Sequence, residues 1–219
     1  MADYLNTDTW ARREAFEYFR RFDKPYFNVC VRLDAAPLKA AAAARGASFT
    51  LACHFMTLRL ANLHAPLRYR LEGGRVRIFD AVHGSTTVLR DDESFGFAYL
   101  QHTADFAAFC TRGQAAMAAA HARHQAFEPR VDETALVHFT TLPWLHFTSF
   151  SHARNWGRED SVPKIAFGRL QAEGERLWLP FSVEVHHALM DGLHLGRYVQ
   201  AVEAALLQPG PWLDGPAGA

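Results

Sequence analysis

Cysteine is scarce in this chain: only Cys30, Cys53 and Cys110 occur among 219 residues. An odd, widely spaced set of that kind argues against a disulfide framework. An excess of one charge is missing too, since Lys plus Arg and Asp plus Glu number 23 each. No basic field therefore invites nucleic acid or an anionic membrane surface. No apolar run approaches the roughly 18 residues that a membrane span requires. Met1 to Asp8 has neither a basic n-region nor an apolar h-region. The chain thus reads as lacking a secretory signal, with a bacterial-type cytoplasm as the expected compartment. The twelve histidines are not completed by cysteine or carboxylate at metal-ligand spacing, so no metal is expected. Ser149 lacks the Gly-x-Ser-x-Gly surroundings of a nucleophile elbow and reads as structural, like Thr148.

What is present is an ordinary globular composition, 49% hydrophobic and 21% charged, long enough for one domain with a substantial core. Helical and strand patterns mix without repeats. Helices are expected over Trp10–Phe22, over the alanine-rich Pro37–Arg45 closed by Gly46, over Thr50–His64 and over Asp105–Ala126, interrupted at Gly113. Strands are expected near Tyr26–Leu33, Thr86–Leu89, Phe95–Leu100, Leu136–Thr140, Leu145–Phe150, Ile165–Gln171 and Arg176–Val185. Arg68–Asp80 reads as a hairpin turning at Gly73-Gly74, where positive φ is cheap. The pattern is α/β, a two-layer sandwich of helices on a sheet, with a single domain over 1–208. The Pro/Gly-rich tail 209–219 reads as loose.

The densest signal is Val185-His186-His187-Ala188-Leu189-Met190-Asp191-Gly192. An apolar strand leads into it, and apolar residues at helical spacing follow, including Leu195, Tyr198 and Val202. The motif therefore lies where a strand ends and a helix begins. Strand neighbours point to opposite faces, so His186 and His187 cannot share one role. One is free to be tied into the sheet while the other faces a cleft, placed to take a proton from a nucleophile.

This segment resembles the C-terminal signature of the chloramphenicol acetyltransferase family. Trp10-Ala11-Arg12-Arg13-Glu14-Ala15-Phe16-Glu17 resembles an N-terminal segment of that family, and Pro143-Trp144-Leu145-His146-Phe147-Thr148-Ser149-Phe150 resembles a central one. The resemblance runs in order from about Tyr4 to about Leu207. It implies a chloramphenicol acetyltransferase-like fold, helices on a large mixed sheet, assembled as a homotrimer with active sites between subunits. It also implies a resistance-type O-acetyltransferase that uses acetyl-CoA as co-substrate and a small-molecule hydroxyl acceptor, with direct attack on the thioester.

Carried residue by residue, the resemblance makes His187 the general base and Thr140 the oxyanion donor, where serine is usual. It makes Asp191 and Arg12 a supporting pair rather than part of a catalytic triad, and assigns His186 to structure. Phe19, Phe27, Phe95, Phe97, Phe127 and His152 fall on the acceptor pocket, Phe97 replacing a small residue and His152 a leucine. Asp23 stands there where an apolar residue is usual. Trp144 and Arg169 fall on the donor side, while Thr50 and Leu170 occupy positions that commonly clasp adenine with aromatic rings. Ala166 stands where a threonine commonly holds a water. These departures keep two further readings open: an acyltransferase of natural-product biosynthesis fed by a carrier-protein thioester or another acyl-CoA, and a non-catalytic ligand-binding protein on the same fold.

Overall fold

A computed structural model describes residues 3–123, 133–154 and 159–215. Its strands are β1 (Asp3–Tyr4), β2 (Tyr26–Asp34), β3 (Tyr69–Glu72), β4 (Arg75–Ile78), β5 (His83–Leu89), β6 (Phe95–Leu100), β7 (Leu136–Leu142), β8 (Lys164–Gly168), β9 (Gln171–Glu173) and β10 (Arg176–His186). Its α-helices are α1 (Arg13–Phe19), α2 (Ala36–Ala44), α3 (Phe49–Leu63), α4 (Phe106–Ala122), α5 (Gly192–Leu207) and the short α6 (Gly210–Leu213). Seven strands form one sheet in the order β2-β10-β8-β7-β5-β6, with β9 also paired to β10. The β5–β7 and β7–β8 ladders are parallel and the rest are antiparallel, so the sheet is mixed. The hairpin β3–β4 turns at Gly73 and Gly74, both at positive φ, and joins β1 in a separate three-stranded sheet.

Strand alternation divides the two faces of the large sheet. Val183 and Val185 of β10, Ile165 and Phe167 of β8 and Phe139 of β7 point into the core, where they meet Leu51, Phe55 and Leu58 of α3 and Tyr198 and Val202 of α5. Fully burying one such side chain stabilises by about 1.5–3 kcal/mol. On the opposite face the register aligns a polar row: Tyr99, Ser85, His138, Lys164, Glu184 and Asn28, each paired with the next across six strands. The next row includes Thr140, Ala166 and Ser182. Pro180 interrupts β10 without breaking it. Pairing with β8 begins only at Phe181, so the missing N–H of Pro180 lies outside that ladder, and its ring sits over Gly168, where a Cβ would come within 2.8 Å.

Four expectations from the sequence need correction. Helix α1 is shorter than Trp10–Phe22. Trp10 closes a turn by accepting from Arg13 N at 2.9 Å, and beyond Phe19 the bonds tighten to i→i+3, as in Phe22 N to Phe19 O at 3.2 Å. Residues 145–150 form no strand. Pro143 leaves the sheet where β7 is already paired on both sides, so the following apolar residues find no edge, and Trp144 and Leu145 stay 57% and 56% exposed. The stretch 209–215 is not loose. Pro209 and Pro211 initiate α6, Leu213 is buried, Arg59 donates to Trp212 O at 2.9 Å, and Arg45 pairs with Asp214. Gly113 does not interrupt α4; it admits Leu51, whose Cδ2 would lie 2.8 Å from an added Cβ.

Three histidines give the fold a pH dependence. Burial in the core lowers His54 from 6.5 to about 3, and among the described residues neither ring nitrogen has a hydrogen-bond partner. Burial, with the Lys164 charge next, lowers His138 to about 4. Burial, then Arg154, lowers His186 to about 4. Each ring binds its proton more tightly in the unfolded chain, so acid favours unfolding. Stability is expected to be full above about pH 6.5 and to fall toward pH 4, by up to about 1.4 kcal/mol per pH unit for each ring. Denaturant unfolding between pH 7 and pH 4 reads this directly. A flat midpoint would show that the rings are protonated in the folded state.

Candidate active site

The end of β10 and the start of α5 are held by their own backbone before any side chain acts. His187 N donates to Pro25 O at 2.6 Å, while Leu189 N and Met190 N donate to His186 O at 3.0 and 3.3 Å. His186 closes the turn from inside: its Nδ1 accepts from Ala188 N at 3.2 Å, and its buried ring meets Tyr26 edge-on at 5.2 Å. It is neutral near pH 7, given its depressed pKa of about 4.

His187 points the other way. Its ring stacks on Phe19 with centroids 3.8 Å apart and planes 8° from parallel, and Phe27 packs against it at 4.7 Å. Nδ1 is buried without a hydrogen-bond partner among the described residues. The result is a half-buried imidazole oriented by aromatic surface.

Arg12, from the turn before α1, clamps the motif. Its Nη1 and Nη2 donate to the carbonyls of Ala188 and His187 at 2.9 and 3.1 Å, and its Nε donates to Asp191 Oδ2 at 3.1 Å. Asp191 Oδ1 accepts from Leu193 N at 3.1 Å as the N-cap of α5 and lies 2.7 Å from His194 Nδ1. Partial burial would raise the Asp191 carboxyl, but His194 and Arg12 outweigh it and hold the pKa at about 2. Among the described residues, the Asp191 carboxylate has no hydrogen bond to His187. Its ionised oxygens serve Arg12, His194 and the helix end.

A cavity of about 420 Å³ opens on the polar face of the sheet, lined by Thr140, Phe95, Phe97 and His152 together with residues such as Thr87 and Lys164. The structure thus gathers four expected positions from segments far apart in sequence. It does not bring His187, Phe19 or Phe27 to that lining. Asp23 lies in a smaller cavity of about 190 Å³ with Arg20 and His186, adjoining the first through Glu159 and Asp160. Phe127 lies outside the described residues. A third cavity, about 210 Å³, gathers Arg169, Thr50 and Leu170 with Thr141 and Pro143. Trp144 does not line it. Thr140 and Thr141 are strand neighbours and so face opposite ways; one lines the 420 Å³ cavity and the other the 210 Å³ cavity. The two spaces approach each other at β7.

Sequence reasoning missed a buried charge network behind the larger cavity. Arg154 donates to Glu184 Oε1 at 2.7 Å, Asp160 Oδ1 at 3.0 Å and Val162 O at 2.9 Å, and lies 4.3 Å over the Tyr26 ring. Lys164 reaches Ala153 O at 2.6 Å and Asp160 Oδ2 at 3.3 Å. The signal was Glu184 itself, a charge inside an apolar strand, which requires a buried cation.

A family model described as chloramphenicol acetyltransferase matches residues 2–203. A chloramphenicol acetyltransferase of Streptomyces acrimycini is 29% identical over 212 residues, covering 95% of this chain and 96% of that protein. Chloramphenicol acetyltransferase 3 of Escherichia coli is 26% identical over 201 residues, covering 91% and 94%. A solved chloramphenicol acetyltransferase superposes with a TM-score of 0.87 at 25% identity, over 94% of this chain and all of that one. A dihydrolipoamide acetyltransferase of Azotobacter vinelandii, 12% identical with a TM-score of 0.67 over 90% of this chain and 87% of its own, shares the fold.

Proposed function

The chain belongs to the chloramphenicol acetyltransferase family and is an acyltransferase, and from that premise we propose that it moves an acetyl group from acetyl-CoA to a hydroxyl of chloramphenicol or a related small molecule. In this reading His187 takes the proton of the acceptor hydroxyl as that oxygen attacks the thioester carbonyl. The C–S bond breaks as the tetrahedral intermediate collapses, and the coenzyme A thiolate leaves with the proton. Thr140 donates its hydroxyl to the oxyanion of the intermediate. The observation that carries the reading is the seat of His187, an imidazole fixed on Phe19 and Phe27 above a turn clamped by Arg12.

The acceptor occupies the cavity beside Thr140, and coenzyme A enters through the space lined by Arg169, Thr50 and Leu170. Arg169 is suited to a phosphate. The donor site lacks an aromatic clasp at Thr50 and Leu170, an observation that keeps a carrier-protein pantetheine as the second donor reading. Because His187 does not line the cavity that holds Thr140, a complete site needs a second copy of the chain, in keeping with a homotrimer whose sites lie between subunits. Light scattering in solution is then expected to give three times the chain mass; a monomer would remove the shared site. Acceptor-dependent thiol release, with mass spectrometry of the acetylated product, tests the reaction itself.

Ala166 pairs with both Thr140 and Ser182 in the ladder. If a hydroxyl is merely missing there, Ala166→Thr should leave kcat unchanged or raise it. A large fall would mean that the position is shaped around a different acceptor.

A further inference from the structure

Helix α5 carries a histidine in its first turn, a place that favours acidic side chains. Asp191 is the N-cap and His194 stands third in the helix, where the free N–H groups and the helix dipole disfavour a basic residue. A capping box puts Glu or Gln at that place, reaching back to the N-cap N–H. Glu there would set a second carboxylate against Asp191, whereas histidine brings it a donor. His194 Nδ1 lies 2.7 Å from Asp191 Oδ1 and 3.4 Å from Asp191 N, and it cannot accept from one and donate to the other at once. Partial burial pulls the Asp191 carboxyl up, but His194 and Arg12 hold it at about 2, so it is ionised and can only accept. A lone pair on Nδ1 would face that carboxylate at 2.7 Å. Nδ1 therefore carries a hydrogen and donates to Oδ1, whatever the state of Nε2.

That bond is the outer end of a series leading to His187. Asp191 Oδ1 accepts from His194 and from Leu193 N, while Oδ2 accepts from Arg12 Nε. Arg12 in turn holds the carbonyls of Ala188 and His187 through Nη1 and Nη2. The Asp191 side chain is 38% exposed, so packing alone leaves its carboxylate room to turn. His194 fixes one oxygen and thereby aims the other at Arg12.

We propose that His194 is a positioning residue, which locks the Asp191 carboxylate against Arg12 and so holds the backbone that presents the His187 ring. This rests on reading His187 as the general base. The test compares wild type with His194→Phe, which keeps a ring and removes the donor, and with His194→Asn, whose Nδ2 sits about where Nδ1 does. Steady-state kinetics, a thermal melt and the NMR shifts of the His187 ring protons are read on each. His194→Phe is expected to lower kcat by about tenfold to a hundredfold with KM unchanged, the scale of a slightly misplaced group. Its His187 ring protons, shifted upfield by the stack on Phe19, should move toward unstacked values. His194→Asn should keep most of the turnover and the wild-type shifts. Wild-type kcat or wild-type ring shifts in His194→Phe would reduce His194 to a helix cap and overturn the proposal. Equal losses in both variants, or an unfolded His194→Phe, would overturn it too, by assigning the effect to bulk or to general stability. A wild type without acceptor-dependent turnover would count against the base reading alone, because the ring shifts decide the positioning role without turnover.

Discussion

His187→Ala is expected to lower acceptor-dependent kcat by roughly 10²–10⁴-fold, the range that a positioned general base supplies. KM should move little, because Phe19, Phe27 and the cavity beside Thr140 are untouched. Stability should fall by only about 1 kcal/mol, or about 2–4 °C in Tm, since one half-buried ring stacked on Phe19 is lost. The turn would hold, because its bonds to Pro25, Arg12 and Asp191 use backbone groups of residue 187 or other side chains. Steady-state kinetics with a thermal melt on the same sample separates the two effects. Retained turnover would remove His187 from the base role, and an unfolded variant would make it a structural residue instead.

The second large effect concerns stability. Arg154 and Glu184 are 3% and 7% exposed in their side chains, so solvent screens their pairing little. Arg154→Met strands the Glu184 carboxylate inside the protein, a change that typically costs about 3–5 kcal/mol. For a chain of this size that is on the order of 10 °C in Tm. The double replacement Arg154→Met with Glu184→Met removes both charges and is expected to recover most of the loss, because desolvating the pair offsets much of its attraction. Urea melts of wild type, the two single variants Arg154→Met and Glu184→Met, and the double variant close the cycle. A single-variant loss below about 1 kcal/mol would mean that water already reaches Glu184.

The two cases show what could be read before the fold was known. The end of β10 was legible because its signals are local: an apolar strand, a histidine doublet that must diverge, and apolar residues at helical spacing after Gly192. Arg12 was reached by resemblance, and its three bonds to the motif give it a physical reason to be there. The cavity was legible only as a set of aligned positions. Phe95, Thr140 and His152 share it because the strand order places β7 beside β5 and β5 beside β6, and order in a mixed sheet is not encoded by periodicity. Where Leu145–Phe150 misled, apolarity was mistaken for sheet burial although β7, the strand before it, is already paired on both sides. The tail misled in the opposite sense: proline and glycine suggested looseness, but Leu213 and Trp212 had a surface to join. The Arg154 network stayed hidden because its partners lie about 30 residues apart, on a loop and a strand.

Free-thiol release from acetyl-CoA, followed with and without chloramphenicol, tests the central claim most directly. The account predicts release that appears only with the acceptor, matches acetylated product mole for mole, and disappears in His187→Ala. Thiol release that ignores the acceptor, or no release at all, would contradict an O-acetyltransferase working through His187.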